Sequence, residues 1–215
     1  MRTYEEKKKA LYDFMNTCIE EDICIAFSGG VDSSVLLQLA RNCAEKKKRQ
    51  SSIYAVTFHT MLHPSCDLEI AQKVAKEAGA IHKVLFVNEL EQAEIRFNPK
   101  DRCYLCKKAL FGKLKAYAEE KRVSCILEGT NEDDLHVYRP GLKAVKEMGV
   151  LSPLAMHGFT KEEVRRLAEE LGVSVAKRPS TPCLATRLPY GAEIRPEILE
   201  KIAKAEEYLK KEGFP

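Results

Sequence analysis

The sequence predicts an α/β fold in which a parallel sheet carries helices on both faces, with a short C-terminal loop-and-helix region added. Short apolar runs alternate with stretches of helical periodicity, the pattern of strands joined by crossover helices. The first run, Ile23 to Phe27, is unbroken, as a parallel strand buried on both faces should be. It passes directly into Ser28-Gly29-Gly30, which puts two glycines in a strand-to-helix turn.

Taken in order, Ala10, Leu11, Phe14, Met15 and Cys18 recur at helical spacing and predict a helix from Tyr4 to Ile19. After the first strand and its glycines, Val35, Leu36, Leu37 and Leu39 form the apolar part of a second helix. A strand is expected at Ile53 to Phe58, a helix at Leu68 to Ala78 and a strand at Lys83 to Val87. An irregular stretch follows, then a helix from Leu105 to Glu120 and a strand from Ser124 to Glu128. Further on, the sequence predicts a helix at Lys143 to Met148, a short strand near Leu151 and a helix from Lys161 to Leu171. Thr160 followed by Glu163 is the reciprocal cap that starts such a helix. Ala176 to Gly191 contains Pro179, Pro182 and Pro189 and reads as a long loop, which in a compact chain is usually functional or disordered. The last element is an amphipathic helix, Pro196 to Lys211, whose Lys and Glu residues form a solvated face. These elements divide into an α/β domain over residues 1–150 and a loop-and-helix region over residues 151–215.

At 215 residues and 45% hydrophobic content, the chain can bury one good core, or one core with a small appendage. Its 35 Lys and Arg against 32 Asp and Glu leave a formal charge of +3, too little to mark a nucleic-acid binder. The N-terminus, MRTYEEKKKA, is charged, and no run of about eighteen apolar residues occurs. A cytoplasmic enzyme with no membrane partner is the expectation. Eight cysteines in such a chain suggest thiols, metal ligands or redox chemistry rather than disulfides. Cys18, Cys24, Cys43, Cys66 and Cys125 stand in apolar or helical stretches and read as packing residues.

A glycine-rich turn at a helix N-terminus offers an anion several backbone N–H donors and the positive end of the helix dipole. Ser28, Gly29, Gly30, Ser33 and Ser34 would form such a cradle, and Asp32 is the best single candidate for a Mg²⁺ ligand. Neither Gly-x-x-x-x-Gly-Lys-Ser/Thr nor Gly-x-Gly-x-x-Gly occurs, which excludes a Walker A loop and a dinucleotide fingerprint. The plainer alternative is that Asp32 and Ser33 merely cap a helix. The whole arrangement, Ser28-Gly29-Gly30-Val31-Asp32-Ser33-Ser34 between an apolar strand and an apolar helix, resembles the PP-loop ATP pyrophosphatases. That resemblance implies an adenine nucleotide α-hydrolase-like fold, ATP as cosubstrate, and attack of a nucleophile on the α-phosphate with release of pyrophosphate. Ligands of open α/β sheets lie at the carboxyl ends of the strands. Thr57 is expected to meet adenine and ribose there, and Gly129, Thr130 and Asn131 to form a second nucleotide-facing loop. Glu132, Asp133 and Asp134 add a carboxylate cluster that beside a triphosphate can hold Mg²⁺ through one or two oxygens, but acidic residues in a loop are more often simply solvated, and Asp32 is the better metal candidate.

Cys103 and Cys106 form a Cys-x-x-Cys at a predicted helix start, where the dipole favours the thiolate, and Cys183 stands in the proline-rich loop. Asn98 to Lys108, Glu128 to Asp134, Tyr138 to Gly141 and Pro182 to Arg187, in that order, closely resemble the LarE family over nearly the whole chain. LarE proteins are ATP-dependent sulfur transferases that make the nickel-pincer cofactor of lactate racemase. The resemblance implies that a carboxylate of a small nucleotide-like substrate, pyridinium-3,5-biscarboxylic acid mononucleotide, is adenylated. Sulfur from sulfide or another donor then displaces AMP. Asp32 and Cys183 are the catalytic candidates. Within the family, the matching cysteine is either one of three ligands to a [4Fe-4S] cluster or a sacrificial sulfur donor; the presence of Cys103 and Cys106 beside Cys183 favours the cluster.

Tyr104, Arg139, Thr186 and Arg187 are the candidates for holding the substrate, since an aromatic ring can stack and guanidinium forks suit phosphate. Arg178 reads as structural. Family members often continue past the last helix with a segment bearing Arg and an acidic residue, so part of the phosphate grip is expected to be missing or supplied otherwise. The rival reading is a PP-loop tRNA thiolase with a cluster, which needs an RNA surface. A nucleotide-binding module with structural zinc is a third, one ligand short with three motif cysteines. Homo-oligomeric assembly and the identity of the sulfur donor stay open.

Overall fold

The computed structural model describes residues 2–63, 65–92 and 94–214. Helix α1 (Tyr4–Cys18) begins with a reciprocal cap between Thr3 and Glu6 and leads to strand β1 (Ile23–Ala26). Then follow α2 (Val31–Lys46), β2 (Ile53–His59), α3 (Ser65–Glu77), β3 (Ile81–Phe86), α4 (Glu89–Gln92), α5 (Arg102–Glu120) and β4 (Cys125–Leu127). The chain closes with α6 (Gly141–Glu147), α7 (Pro153–Met156), α8 (Lys161–Glu170) and α9 (Pro196–Lys211). Single 3-10 turns lie at Asp133–His136 and Leu184–Arg187. Among the described residues no helix is long and apolar enough to cross a membrane.

The four strands make one parallel sheet in the order β3-β2-β1-β4. In register, Ile23 of β1 stands between Ile53 of β2 and Cys125 of β4. The chain winds outward from β1 through β2 to β3 and then returns to place β4 on the other side of β1. At such a switch point two crossovers diverge and leave a crevice at the carboxyl ends of the strands. Leu151 bridges Leu127 in parallel, which is the short strand expected there.

Both faces of the sheet are covered. On one, Leu11 and Met15 of α1, Leu36 and Leu37 of α2, and Val164 and Leu167 of α8 are fully buried against β1 and β2. On the other lie Phe111, Leu114 and Tyr117 of α5 with Val145 of α6. Each large apolar side chain so buried contributes about 1.5–3 kcal/mol relative to exposure. A third cluster stands apart from the sheet. There Leu62, Ile95, Leu184, Ala185, Ile194 and Leu199 fasten the C-terminal segment to the loops after β2 and before α5.

Four helices begin earlier than apolar periodicity suggests. α2 starts at Val31, with Gly30 as N-cap, so Asp32, Ser33 and Ser34 occupy its first turn. α3 starts at Ser65 rather than Leu68, α5 at Arg102 rather than Leu105, and α6 at Gly141 rather than Lys143. Periodicity reports only recurring apolar residues, and the first turns of these helices open on small or polar residues even where they are buried, such as Ser33 and Ser34 of α2, Arg102 of α5 and Gly141 of α6. β3 runs Ile81–Phe86 rather than Lys83–Val87 because its ladder opens with Ile81 against Tyr54. The four-residue elements are too short to carry a periodic signal. α8 has its capping box at Thr160 and Glu163 as expected.

Candidate functional site

A cleft of ≈ 340 Å³ opens at the carboxyl ends of β1, β2 and β4, within the range of small-molecule sites. Its floor is formed by Ala26 to Ser28, Asp32 and Ser33 on either side of the turn from β1 into α2, while Gly29 and Gly30 themselves are not part of the lining. Gly29 has φ +72°, a region that glycine enters without steric penalty, and a Cβ there would stand 2.8 Å from the Ala71 Cα of α3. Conformation and space both demand glycine. Arg178 donates to the Gly29 carbonyl at 3.4 Å and to the Asp67 carboxylate, so it braces the loop from behind, the structural role expected of it. Ser28 Oγ accepts from the Gly30 N–H at 3.3 Å and lies 3.4 Å from Ser33 Oγ, which donates to the Gly30 carbonyl at 3.2 Å. Ser28 and Ser33 line the cleft. Ser34 does not: it is 1% exposed, and its Oγ is buried without a partner.

Asp32 lines the cleft from the first turn of α2. Its Oδ2 accepts from Lys161 Nζ at 2.5 Å and its Oδ1 from Asn131 Nδ2 at 3.1 Å. Asn131 therefore orients Asp32 instead of lining the cleft. Gly129 lets the two segments meet, since a Cβ there would lie 3.0 Å from both Asp32 Cβ and Ser33 N. Lys161, the first residue of α8, carries no sequence signal: it meets Asp32 across 129 positions, and a charged residue at a helix start reads as solvated. Glu128, 5% exposed, accepts from Thr130 N at 3.0 Å, Thr130 Oγ1 at 2.9 Å and Ser152 Oγ, and Lys107 Nζ stands 3.3 Å away.

The acidic run after β4 is partnered. Asp133 accepts from the Lys161 N–H at 2.8 Å, Asp134 pairs with Arg139 at 2.9 Å, and Glu132 meets His136 at 2.9 Å. It caps and braces, where the sequence suggested simple solvation. Arg139 and Thr130 line the cleft, as does Thr57, whose Oγ1 lies 2.8 Å from His82 Nε2. Burial holds the His82 imidazole below its usual range. Tyr104, Thr186 and Arg187 are not part of the lining. The Tyr104 hydroxyl donates to Glu147 at 2.7 Å across the seam of α5 and α6. Thr186 Oγ1 donates to the Cys183 carbonyl at 2.7 Å, and Arg187 donates to Thr186 Oγ1 and to Glu206.

Cys103 and Cys106 occupy the first two turns of α5, and Cys183 immediately precedes the 3-10 turn. Side chains within the Asn98 to Cys106 motif join these segments. Buried Arg102 donates to Asn98 Oδ1 and, at 3.0 Å, to the Ala185 carbonyl, with its second nitrogen 3.8 Å from Cys103 Sγ. Buried Asn98, at φ +44°, donates to the carbonyls of Leu188 at 3.0 Å and Pro189 at 2.8 Å. Leu184 N donates to the Leu62 carbonyl at 2.9 Å. These ties join the start of α5 to the proline-rich loop, and Cys106 feels the charge of both other thiols and Cys183 that of Cys103.

The thiolate character expected at the helix start is corrected for Cys106, and the Cys183 thiol in the loop is raised as well. Burial pushes the Cys106 thiol up to about 12 and raises Cys183, because both pack against the third apolar cluster; the Arg102 guanidinium opposes this more weakly. Cys103 is exposed. Among the described residues no group of three or more His, Cys, Asp or Glu side chains is placed to hold a metal ion. Of the cysteines read as packing residues, Cys24 and Cys43 are buried and Cys18 and Cys125 half-buried, while the side chain of Cys66 lies outside the described residues.

A model of the PP-loop domain matches residues 3–145, and the chain belongs to the PP-loop family, the class that a phosphate cradle at this switch point defines. Within it, the pyridinium-3,5-bisthiocarboxylic acid mononucleotide synthase of Lactiplantibacillus plantarum is 30% identical over 215 residues, spanning 100% of this chain and 76% of that protein. That match puts the chain among the LarE-type sulfur transferases its motifs resemble. An uncharacterized protein of Synechocystis sp. is 37% identical over 190 residues, 88% of this chain and 69% of that one. Among solved structures, the U34-tRNA thiolase NcsA from Methanococcus maripaludis with its [4Fe-4S] cluster superposes with a TM-score of 0.60. The superposition covers 97% of this chain and 75% of that one at 18% identity, a likeness of fold.

Proposed function

We propose that this protein is an ATP-dependent sulfur transferase that adenylates a carboxylate of pyridinium-3,5-biscarboxylic acid mononucleotide and converts it to a thiocarboxylate for the nickel-pincer cofactor. The observation that carries the reading is a shared wall between the phosphate cleft and the thiols. α5 bears Cys103 and Cys106 in its first turns and contributes Lys107 and Phe111 to the cleft. The loop after β2 sends Thr60 and His63 to the cleft, while Leu62 between them holds Leu184, the neighbour of Cys183. An acyl adenylate formed over the loop would have the thiols as neighbours.

In the first step a carboxylate oxygen of the substrate bonds to the α-phosphorus, and the bond to the β-phosphate oxygen breaks. The hydroxyls of Ser28 and Ser33, which line the cleft, would hold the departing pyrophosphate as preformed donors, and the Gly30 N–H, bonded to Ser28 Oγ, positions the first of them. Asp32, a hard oxygen donor facing the cleft, would hold Mg²⁺, which supplies further neutralisation there. Without it, Lys161 balances Asp32. Arg139 and Lys107, both in the lining, are the cations available to the substrate's own phosphate. In the second step a sulfur nucleophile bonds to the acyl carbon and AMP leaves.

Cys103, Cys106 and Cys183 would hold a [4Fe-4S] cluster, which supplies sulfur delivery without consuming the protein. The chemistry of the donors supports the reading, although their placement does not form a metal-holding group: three thiols are the ligands such a cluster takes, and the buried guanidinium of Arg102 would offset the negative charge they bring as thiolates. The test is product formation by anaerobically purified protein. ATP and the pyridinium dicarboxylate mononucleotide should yield AMP and pyrophosphate, and unmodified tRNA should not. AMP formation that depends on tRNA would install the thiolase reading instead.

A further inference from the structure

Several groups lining the cleft could take a proton, and almost all are already engaged. Asp32 accepts from Lys161 and Asn131, Asp67 from Arg178, Glu128 from Thr130 and Ser152, and Asp134 from Asn131. His59 packs its ring edge-on against Phe86, with centroids 5.1 Å apart. His63 differs. Its imidazole opens to the cleft, its Nδ1 lies 2.9 Å from Thr60 Oγ1, and among the described residues its Nε2 has no partner. The hydrogen bond at one ring nitrogen sets the tautomer and so the character of the other.

The loop that carries His63 is fixed at the residue before it. Leu62 N–H donates to the buried Glu89 carboxylate at 3.1 Å, and the Leu62 carbonyl accepts at 2.9 Å from the N–H of Leu184, next to Cys183. His63 thus stands where the nucleotide cleft meets the segment of the third motif cysteine. Protein packed around the ring holds it below its usual range, and the charges of Glu89 and Asp67 oppose this more weakly, so at neutral pH it is uncharged and has a lone pair to give.

We propose that His63 is the general base of the sulfur-transfer step, accepting through Nε2 a proton from hydrogen sulfide as its sulfur attacks the acyl adenylate, while Nδ1–H donates to Thr60. This rests on the sulfur-transferase reading above and on no bound metal. Asp32, Asp67, Glu128 and Asp134 line the cleft against the cations Lys107 and Arg139, and a bound adenylate adds further negative charge. Such a cleft repels a hydrosulfide anion, whereas hydrogen sulfide enters uncharged and must shed a proton to become a good nucleophile. A sulfur–carbon bond forms, the bond from the acyl carbon to the AMP oxygen breaks with its electron pair leaving on AMP, and one proton passes to His63. The thiocarboxylic acid releases the second proton to solvent, as His63 does the first before the next turnover. No oxidant or reductant is needed.

The test separates the two steps in anaerobically purified protein given ATP and the pyridinium dicarboxylate mononucleotide. Adenylation is read without sulfide, as exchange of labelled pyrophosphate into ATP, and sulfur transfer as thiocarboxylate formed once sulfide is added, across a pH series. Wild-type transfer should hold its rate to a pH below the usual histidine range and fall beneath it, because a lowered pKa keeps the base unprotonated further into acid. His63→Ala should slow transfer about a hundredfold or more while adenylation falls far less. Its transfer should follow the ionisation of hydrogen sulfide itself and regain rate with added imidazole. Wild-type transfer that tracks hydrogen sulfide ionisation overturns the proposal without any variant. So does a folded His63→Ala that transfers at the wild-type rate, or one whose adenylation falls as much as its transfer and that imidazole does not rescue, which would make the residue structural. If wild type shows no pyrophosphate exchange with the mononucleotide, the sulfur-transferase reading itself fails, an outcome distinct from the failure of His63.

Discussion

Replacing Gly29 with Ala separates the two demands that the phosphate loop makes on that position. An alanine at φ +72° enters the left-handed region at about 1–2 kcal/mol. Its Cβ would also stand 2.8 Å from Ala71 Cα, 2.9 Å from Ala71 N and 3.1 Å from Ala71 Cβ. The two shortest contacts are backbone atoms of α3, so no rotamer change relieves them and the helix must shift, at about 1–3 kcal/mol for overpacking. Gly149 is the control: its φ is +68° and a built Cβ meets nothing within 4 Å, so Gly149→Ala bears the conformational part alone. Urea unfolding should find Gly29→Ala less stable than Gly149→Ala by about 1–3 kcal/mol. In a chain of this size the thermal midpoints should separate by about 2–4 °C for each kcal/mol. Pyrophosphate release should fall in folded Gly29→Ala and persist in Gly149→Ala. Equal destabilisation of the two would refute the claim that contact with α3, and not backbone conformation alone, requires glycine.

Asp32→Ala should abolish pyrophosphate release with little change in melting, because its part-exposed pair with Lys161 is worth about 1 kcal/mol or less; wild-type release would remove Asp32 from the mechanism. Burial raises the Glu163 carboxyl, but Lys7 and the Thr160 N–H outweigh it and hold the group below its usual range. Its stabilisation is therefore complete above the usual carboxylate range and lost as pH falls through the lowered value. Glu163→Gln should be less stable than wild type by about 1 kcal/mol at neutral pH, and acid-series melts should converge; a gap that persists in acid contradicts this. In cluster-free protein near about pH 8, iodoacetamide should label exposed Cys103 well before Cys106, whose thiol stays protonated with its pKa at about 12. Peptide mass spectrometry showing Cys106 modified first would reverse the assignment.

The alternation of strands and helices was legible because each buried face leaves its own periodicity, and the phosphate loop because its residues are contiguous. What the sequence hides is side-chain chemistry assembled over distance. Lys161 reaches Asp32 from another helix, at a helix start that reads as solvated. Arg102 and Asn98 fall inside a motif whose cysteines draw attention, yet they are what joins that motif to the proline-rich loop. Tyr104 looked like a stacking surface, but its face of α5 also carries Lys108 and meets Glu147, leaving the ring beside charges on the outer seam. Which side of a helix faces a cleft depends on what packs behind it, and one segment alone does not record that.

Arg102 and Ala185 are bonded across 83 positions of the chain, with cysteines close to each on either side of the tie. A group bound by all three thiols would act as a cross-link closing a very long loop. In the chain-entropy description such a closure removes about 4.5 kcal/mol of freedom from the unfolded ensemble. Oxidative loss of the group would then be felt mechanically: the segment from Cys183 through α9 would be left on a few hydrogen bonds and one small apolar cluster, and it should be the first part of the molecule that a protease releases in air.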